Sequence, residues 1–408
     1  GNSIASGGNY NVTIGDEAGT AITTGDNNVA IGYNAGIAYA AQSQNTMVGS
    51  SAGVADTGAN NTGIGFNSIA AAGTGANNTA VGGFSLYANS TGHSNVAIGA
   101  SALVANTTGT SNVAVGYTAL DANTTGGYNI AVGMAALGAN TTAGSNIAVG
   151  YNSLATNTTG ANNVAIGHDT LVYNTTGASN VAVGFQALDA NTTASNNVAV
   201  GNAALGANTT GTGNSALGPG ALDASTTASY NTGIGYVALS SATTGANNTA
   251  VGSSALAVNT TGHSNVAVGL NSLDANTTAA NNVAVGASAL TANTTGSENT
   301  AIGSTCLGAN TTAANNIAIG YAALNANTTG AQNIAIGVYA VDANTTGGNN
   351  VGLGHAALSS NTTGGANTAL GFGSLGANTT GASNVAVGVN ALNYNTTASQ
   401  NTGVGLNA

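Results

Sequence analysis

Four histidines, eleven carboxylates and one cysteine are the residues of this 408-residue chain that could carry acid–base, metal or thiol chemistry. Their spacing keeps them apart. His93 and His263 share one register of a seventeen-residue repeat, and His168 and His355 share another. The members of each pair stand ten or more repeats apart, roughly 50 Å if each repeat advances by one strand spacing. They cannot hold one ion within a chain. Three copies of one histidine could meet an ion on a three-fold axis, but solvent exposure is the simpler expectation. Asp121, Asp189, Asp223, Asp274 and Asp342 all fall at the tenth position of the repeat, never in adjacent copies. A calcium-binding roll needs carboxylates in successive turns. Asp16 and Glu17 are neighbours on opposite faces of a strand, not an acid–base pair. Serine and threonine abound, yet no histidine and carboxylate accompany them at a plausible distance, so nucleophilic catalysis is unsupported. Cys306, alone, excludes an internal disulfide and reads as a small buried side chain. No glycine-rich loop is followed by lysine, so the glycines do not build a phosphate cradle. Neither a catalytic residue, a cofactor nor a metal site is expected, and the chain does not read as an enzyme.

The elements that would position such residues are copies of one segment, Asn112 to Tyr128, NVAVGYTALDANTTGGY. Its leading asparagine recurs from Asn11 to Asn401 at intervals of seventeen, with one interval of sixteen between Asn45 and Asn61. A short fixed period marks stacked repeats. Positions 2 and 4 alternate with 1, 3 and 5, which predicts a strand. Glycine at position 5 and the Asn-Thr-Thr-Gly cluster punctuate too often for a helix. Seventeen residues suit one coil of two short strands and two bends. The fold class is therefore all-β, a parallel β-solenoid of about 24 coils. Stacked at about 4.8 Å, these give a rod of roughly 115 Å.

Val113, Val115 and Leu120 are the expected core, with Ala119 beside them. Position 3, small throughout as at Ala114, implies that another backbone packs closely against it, either the opposite wall of the coil or, preferably, a sister chain. Asparagines at positions 1 and 12 are expected to stack in ladders, bonding to one another and to turn backbone. Residues 1–77 form irregular N-terminal coils of the same solenoid, and 78–408 the regular repeat. The early coils carry Gly19, Gly36, Gly53 and Ile69 at position 9, where later ones carry leucine from Leu86 to Leu392, Val341 excepted. Their interior is smaller or is filled from a different wall.

Lys plus Arg is 0 and Asp plus Glu is 11. Without a cation no nucleic-acid phosphate is neutralised and no anionic membrane is held. No run of about twenty apolar residues offers a membrane span. The chain starts within a repeat-like segment and stops at Ala408, inside a copy. This suggests part of something longer, or a unit that joins head to tail.

The element NVAIG or NVAVG, at Asn95–Gly99, Asn163–Gly167 and Asn180–Gly184, resembles the head repeats of trimeric autotransporter adhesins. The longer form with the ANTTG turn of Ala105–Gly109 resembles repeats of phage tail fibres and bacterial surface fibre proteins. The resemblance covers nearly the whole chain. It implies a left-handed β-roll, three chains side by side, and an extracellular, cell-surface or virion-surface location. No heptad stalk of that family stands in these residues.

The expected role is a structural fibre or filament protein, the shaft or head of an adhesin-like or tail-fibre-like assembly. It would act as a stiff spacer whose partner is itself, as homotrimer or head-to-tail filament. An aromatic row at position 6 (Tyr33, Phe66, Tyr117, Tyr151, Phe185, Tyr236, Tyr321, Phe372) could stack on the sugar rings of a surface glycan, although packing against neighbouring coils is the plainer use. The alternative is an ice-binding solenoid using the stacked pairs Thr107–Thr108 and Thr124–Thr125, though adjacent threonines point to opposite faces of a strand. Asn-Thr-Thr also fits the glycosylation acceptor pattern at Asn106 and its equivalents.

Overall fold

The computed structural model describes residues 8–408. The chain divides into two compact units, Gly1–Ala203 and Ala204–Ala408. Among the described residues all regular structure is β-strand. The first unit carries β1 (Val12–Ile14) to β12 (Val198–Val200), and the second β13 (Ser215–Leu217) to β24 (Thr402–Val404). Each strand has three residues and comes from positions 2 to 4.

Within each unit every strand pairs in parallel with the next, one repeat away. Val96, Ala97 and Ile98 of β6 lie opposite Val113, Ala114 and Val115 of β7 (Val113–Val115). At the sixteen-residue step the register still holds, with Thr46 opposite Thr62. Identical residues thus lie one above another, as the period predicts. Both units are parallel β-solenoids.

One expectation fails in detail. Each coil has one strand, not two. The far wall runs through turn-like residues that still bond coil to coil. Leu103 N–H donates to Ala119 O at 3.0 Å, Ala105 N–H to Asp121 O at 3.1 Å and Thr107 N–H to Thr124 O at 2.9 Å. This wall cannot pleat because positions 7 and 9 are left-handed, with Thr118 at φ 50° and Leu120 at φ 55°. Such a φ is costly for a bulky side chain. Leucine tolerates it at position 9 because its side chain then fills the interior, where Leu120 has no solvent exposure.

That geometry explains the early glycines. Gly19, Gly36 and Gly53 occupy the same left-handed site, at φ 63°, 58° and 60°. Their interior is filled from other walls. A Cβ on Gly53 would lie 2.7 Å from Tyr39 Oη and 2.8 Å from Met47 Sδ. Tyr39, at position 12, and Met47, at position 3, are fully buried. Of the two expectations for these coils, the different wall is correct.

The core itself is inverted relative to expectation. Ala114, Ala119 and Leu120 have no exposure, but Val113 and Val115 are only half-buried and face outward. The alternation is the one the period predicts, with its phase reversed. A coil this narrow leaves room for a methyl group between the sheet and Leu120, so alanine goes inside and the larger aliphatics outside. Position 3 therefore packs against the opposite wall of its own coil, the other of the two alternatives, and Ala114 is not open to a sister chain.

A candidate interaction face

Position 4 is valine, isoleucine or leucine in every copy, and all of these point away from the core. Ile98 and Ile166 are 40% exposed. Position 2 adds Val113, Ile130 and Ile147 to the same face. In each unit twelve strands of three residues, at about 3.3 Å per residue and 4.8 Å between strands, tile roughly 570 Å² of sheet. The largest apolar patch of an ordinary monomer is roughly 300–600 Å². Position 2 is serine or threonine in nine copies, so the apolar part of this face is smaller than the sheet and falls inside that range, with no lysine or arginine to break it.

Aromatic rings flank it at positions 6 and 7. Tyr151 stacks on His168 with centroids 5.0 Å apart, and His168 sits 5.6 Å from Phe185. Phe66 meets Phe84 edge-on at 5.3 Å, Tyr321 meets Tyr339 at 5.4 Å, and His355 stacks on Phe372 at 5.3 Å. In these clusters the rings turn toward one another, yet Phe66, Tyr321 and Phe372 stay about half exposed. Tyr117 and Tyr236, 60% and 62% exposed, show no such partner.

The residues with chemical potential stay dispersed. His168 Nδ1 lies 3.1 Å from an oxygen of the adjacent Asp169. His93 and His263 each reach only the hydroxyl of the following serine, at 3.3 Å. A polar cleft of about 230 Å³ beside His168 is lined by Asn152, Asp169, Val172, Tyr173, Gln186 and Asp189. Among the described residues, no three histidines, cysteines or carboxylates gather in a way that could hold a metal ion. Partial burial pushes Asp121, Asp223, Asp274 and Asp342 above the usual carboxylate range, each in its own coil. Asp16 and Glu17 are exposed, and they lie in the turn after β1 rather than on opposite faces of a strand.

Cys306 is fully buried, with Sγ 2.9 Å from Gly303 O, and burial pushes its thiol up to about 12. The thiolate is the reactive form. The folded protein is therefore expected to be inert to Ellman's reagent at pH 8 and to release one thiol equivalent in guanidinium. Fast labelling of the native protein would contradict the buried position.

The asparagine ladders form as expected. Asn112 N–H donates to Asn95 Oδ1 at 3.0 Å, and Asn112 Nδ2 donates to Gly126 O at 2.8 Å. Asn123, at position 12, donates to the same Gly126 O at 3.0 Å and to Asn106 Oδ1 at 2.9 Å. Asn106 has no exposure, and its Nδ2 is held by Asn89 Oδ1 and Gly109 O. In the folded chain it cannot accept a glycan, which corrects the acceptor reading. The two threonines beside it diverge. Thr107 is half-buried and its hydroxyl donates to Thr124 O at 3.0 Å, whereas Thr108 is exposed.

Among the described residues no helix is long and apolar enough to cross a membrane. Compared with protein-family models and with curated proteins, the chain matches none.

Proposed function

We propose that the protein is a structural spacer, the shaft or head of an adhesin-like or tail-fibre-like extracellular assembly, and not an enzyme. It associates with itself through the outward Val/Ile face, three copies side by side as the resemblance to adhesin heads implies. Head-to-tail joining into a filament is the related form. The observation that carries this reading is the aliphatic face itself. A standard interface buries about 800 Å² per partner. The sheet of one unit with its flanking rings approaches that area. The threonines favour this reading over ice binding: the Thr107 row is spent on inter-coil bonds, so the two rows do not make one flat face.

Native mass spectrometry tests it. The protein is expected at three times 38.3 kDa. The triple variant Val115→Asp, Val149→Asp, Val183→Asp places charges in alternate coils, so that none are neighbours. It is expected to be monomeric with an unchanged circular dichroism spectrum. A wild-type protein that is monomeric at tens of micromolar would end the proposal.

A further inference from the structure

The molecule has one place where a carboxylate is fully buried, and it lies where the repeat is broken. Asp56 is 2% exposed and Tyr39 0%. Both stand at position 12, where most later coils carry the ladder asparagine. Asp56 belongs to the coil that is one residue short. The shortening leaves a visible scar. Asn28 Nδ2 donates to Gln42 O, and Asn61 Nδ2 to Gly75 O, each fourteen residues ahead. The equivalent amide of Asn45 is buried with no partner.

Asp56 ties three coils together at this point. Tyr39 of the coil before donates its hydroxyl to Oδ2 at 3.2 Å. Asn61 of the coil after donates Nδ2 to the same oxygen at 3.0 Å. Gly58 N–H of its own coil donates to Oδ1 at 3.1 Å. Asp56 also bridges in parallel to Gly73, whose carbonyl accepts from Thr57 N–H at 2.8 Å. Among the described residues, Tyr39 is the one titratable group facing Asp56 from the preceding coil. The following coil offers only the Asn61 amide and the Gly73 backbone. There is no lysine or arginine anywhere to neutralise a buried charge.

We propose that the Tyr39–Asp56–Asn61 joint is an acid-set clamp, which grips the irregular first coils to the regular stack when Asp56 takes up a proton and loosens when it is released. Burial raises Asp56 to about 6 from an ordinary 3.8, and it raises the Tyr39 phenol well above its usual value, so Tyr39 stays a donor throughout. Between pH 4 and 6 the folded joint holds a proton that the opened one has lost, so local stability falls as pH rises. Below about 3.8 both states are protonated and above about 6 neither is, so the effect is confined to that window. The opening equilibrium of these coils is expected to change roughly thirtyfold between pH 4.5 and 7.5.

Hydrogen exchange with peptic digestion, on the full chain and corrected for the intrinsic pH dependence of exchange, reads this directly. Protection over residues 35–75 is expected to be roughly thirtyfold higher at pH 4.5 than at pH 7.5. Peptides from residues 130–165, which contain no carboxylate or histidine, serve as the flat reference. Asp56→Asn, which restores the repeat's own residue, is expected to abolish the difference. Tyr39→Phe, which removes a donor to the carboxylate, is expected to enlarge it and keeps the test decisive if the asparagine variant folds poorly. A wild-type protein whose protection over 35–75 does not change with pH, an Asp56→Asn variant that keeps the slope, or a Tyr39→Phe variant with a smaller one would each overturn the clamp.

Discussion

Gly116→Ala is expected to cost about 3–5 kcal/mol, among the largest effects of any single methyl group in this protein. Gly116 has φ 140°, a backbone conformation open in practice only to glycine. Its Cβ would also lie 2.5 Å from Gly133 O and 2.7 Å from Gly133 C of the next coil. Close approach alone is not the reason. A Cβ on Gly126 would meet the Ala143 carbonyl, yet Ala143 itself carries a Cβ at the same position of its coil. Such a site can shift by a few tenths of an ångström, whereas a φ of 140° cannot be relaxed without moving the strand before it. Gly127→Ala is the control, since position 16 is alanine elsewhere, as at Ala161. Guanidinium denaturation should show the first variant strongly destabilised and the second within about 1 kcal/mol of wild type. Equal behaviour of the two would mean that the backbone at position 5 is not held as described. In a stack each coil leans only on its neighbours, so the damage should start at the mutated coil and spread from there.

Asn112→Ala is expected to cost about 3 kcal/mol, for a different reason. Asn112 Oδ1 accepts from Asn129 N–H at 2.9 Å, deep in the coil. Removing the amide leaves that donor buried and unsatisfied, and it removes the bonds to Asn95 Oδ1 and Gly126 O. Gly126 O keeps its second donor from Asn123, so the loss is partial there. An orphaned donor costs about 1–3 kcal/mol and the small cavity adds to it. Thr108→Ala, one exposed hydroxyl away from the ladder, should change stability by no more than about 0.5 kcal/mol. Thermal unfolding of the two variants checks this. An Asn112→Ala protein as stable as Thr108→Ala would show that the ladder is ornamental.

Much of this was readable from the chain alone, because periodicity is a statement about geometry. A side chain that recurs every seventeen residues can lie above its copy only if each coil closes in seventeen residues. The strands at positions 2 to 4, the buried Leu120, Ala119 and Cys306, and the two asparagine ladders followed from that. The phase of the sheet did not. Val113, Ala114 and Val115 are all apolar, so hydropathy could not say which faced in. The Tyr39–Asp56 joint is hidden in the same way: position 12 is Ile22, Tyr39 and Asp56 in the three coils whose position 9 is glycine, but Ala72, Ser225 and Ala242 also replace the asparagine where position 9 is Ile69, Leu222 and Leu239. The compensation between the two positions becomes visible only when both side chains occupy one interior.

What the sequence by itself determined is the coil: its length, its strand, its bends, and the side chains that repeat on each rung. What only the tertiary structure decided is inside and outside. The width of the coil admits a methyl group opposite Leu120 and no more, so the smallest residue turns inward. The branched residues are left as an open aliphatic face, and volume, not hydrophobicity, made that choice.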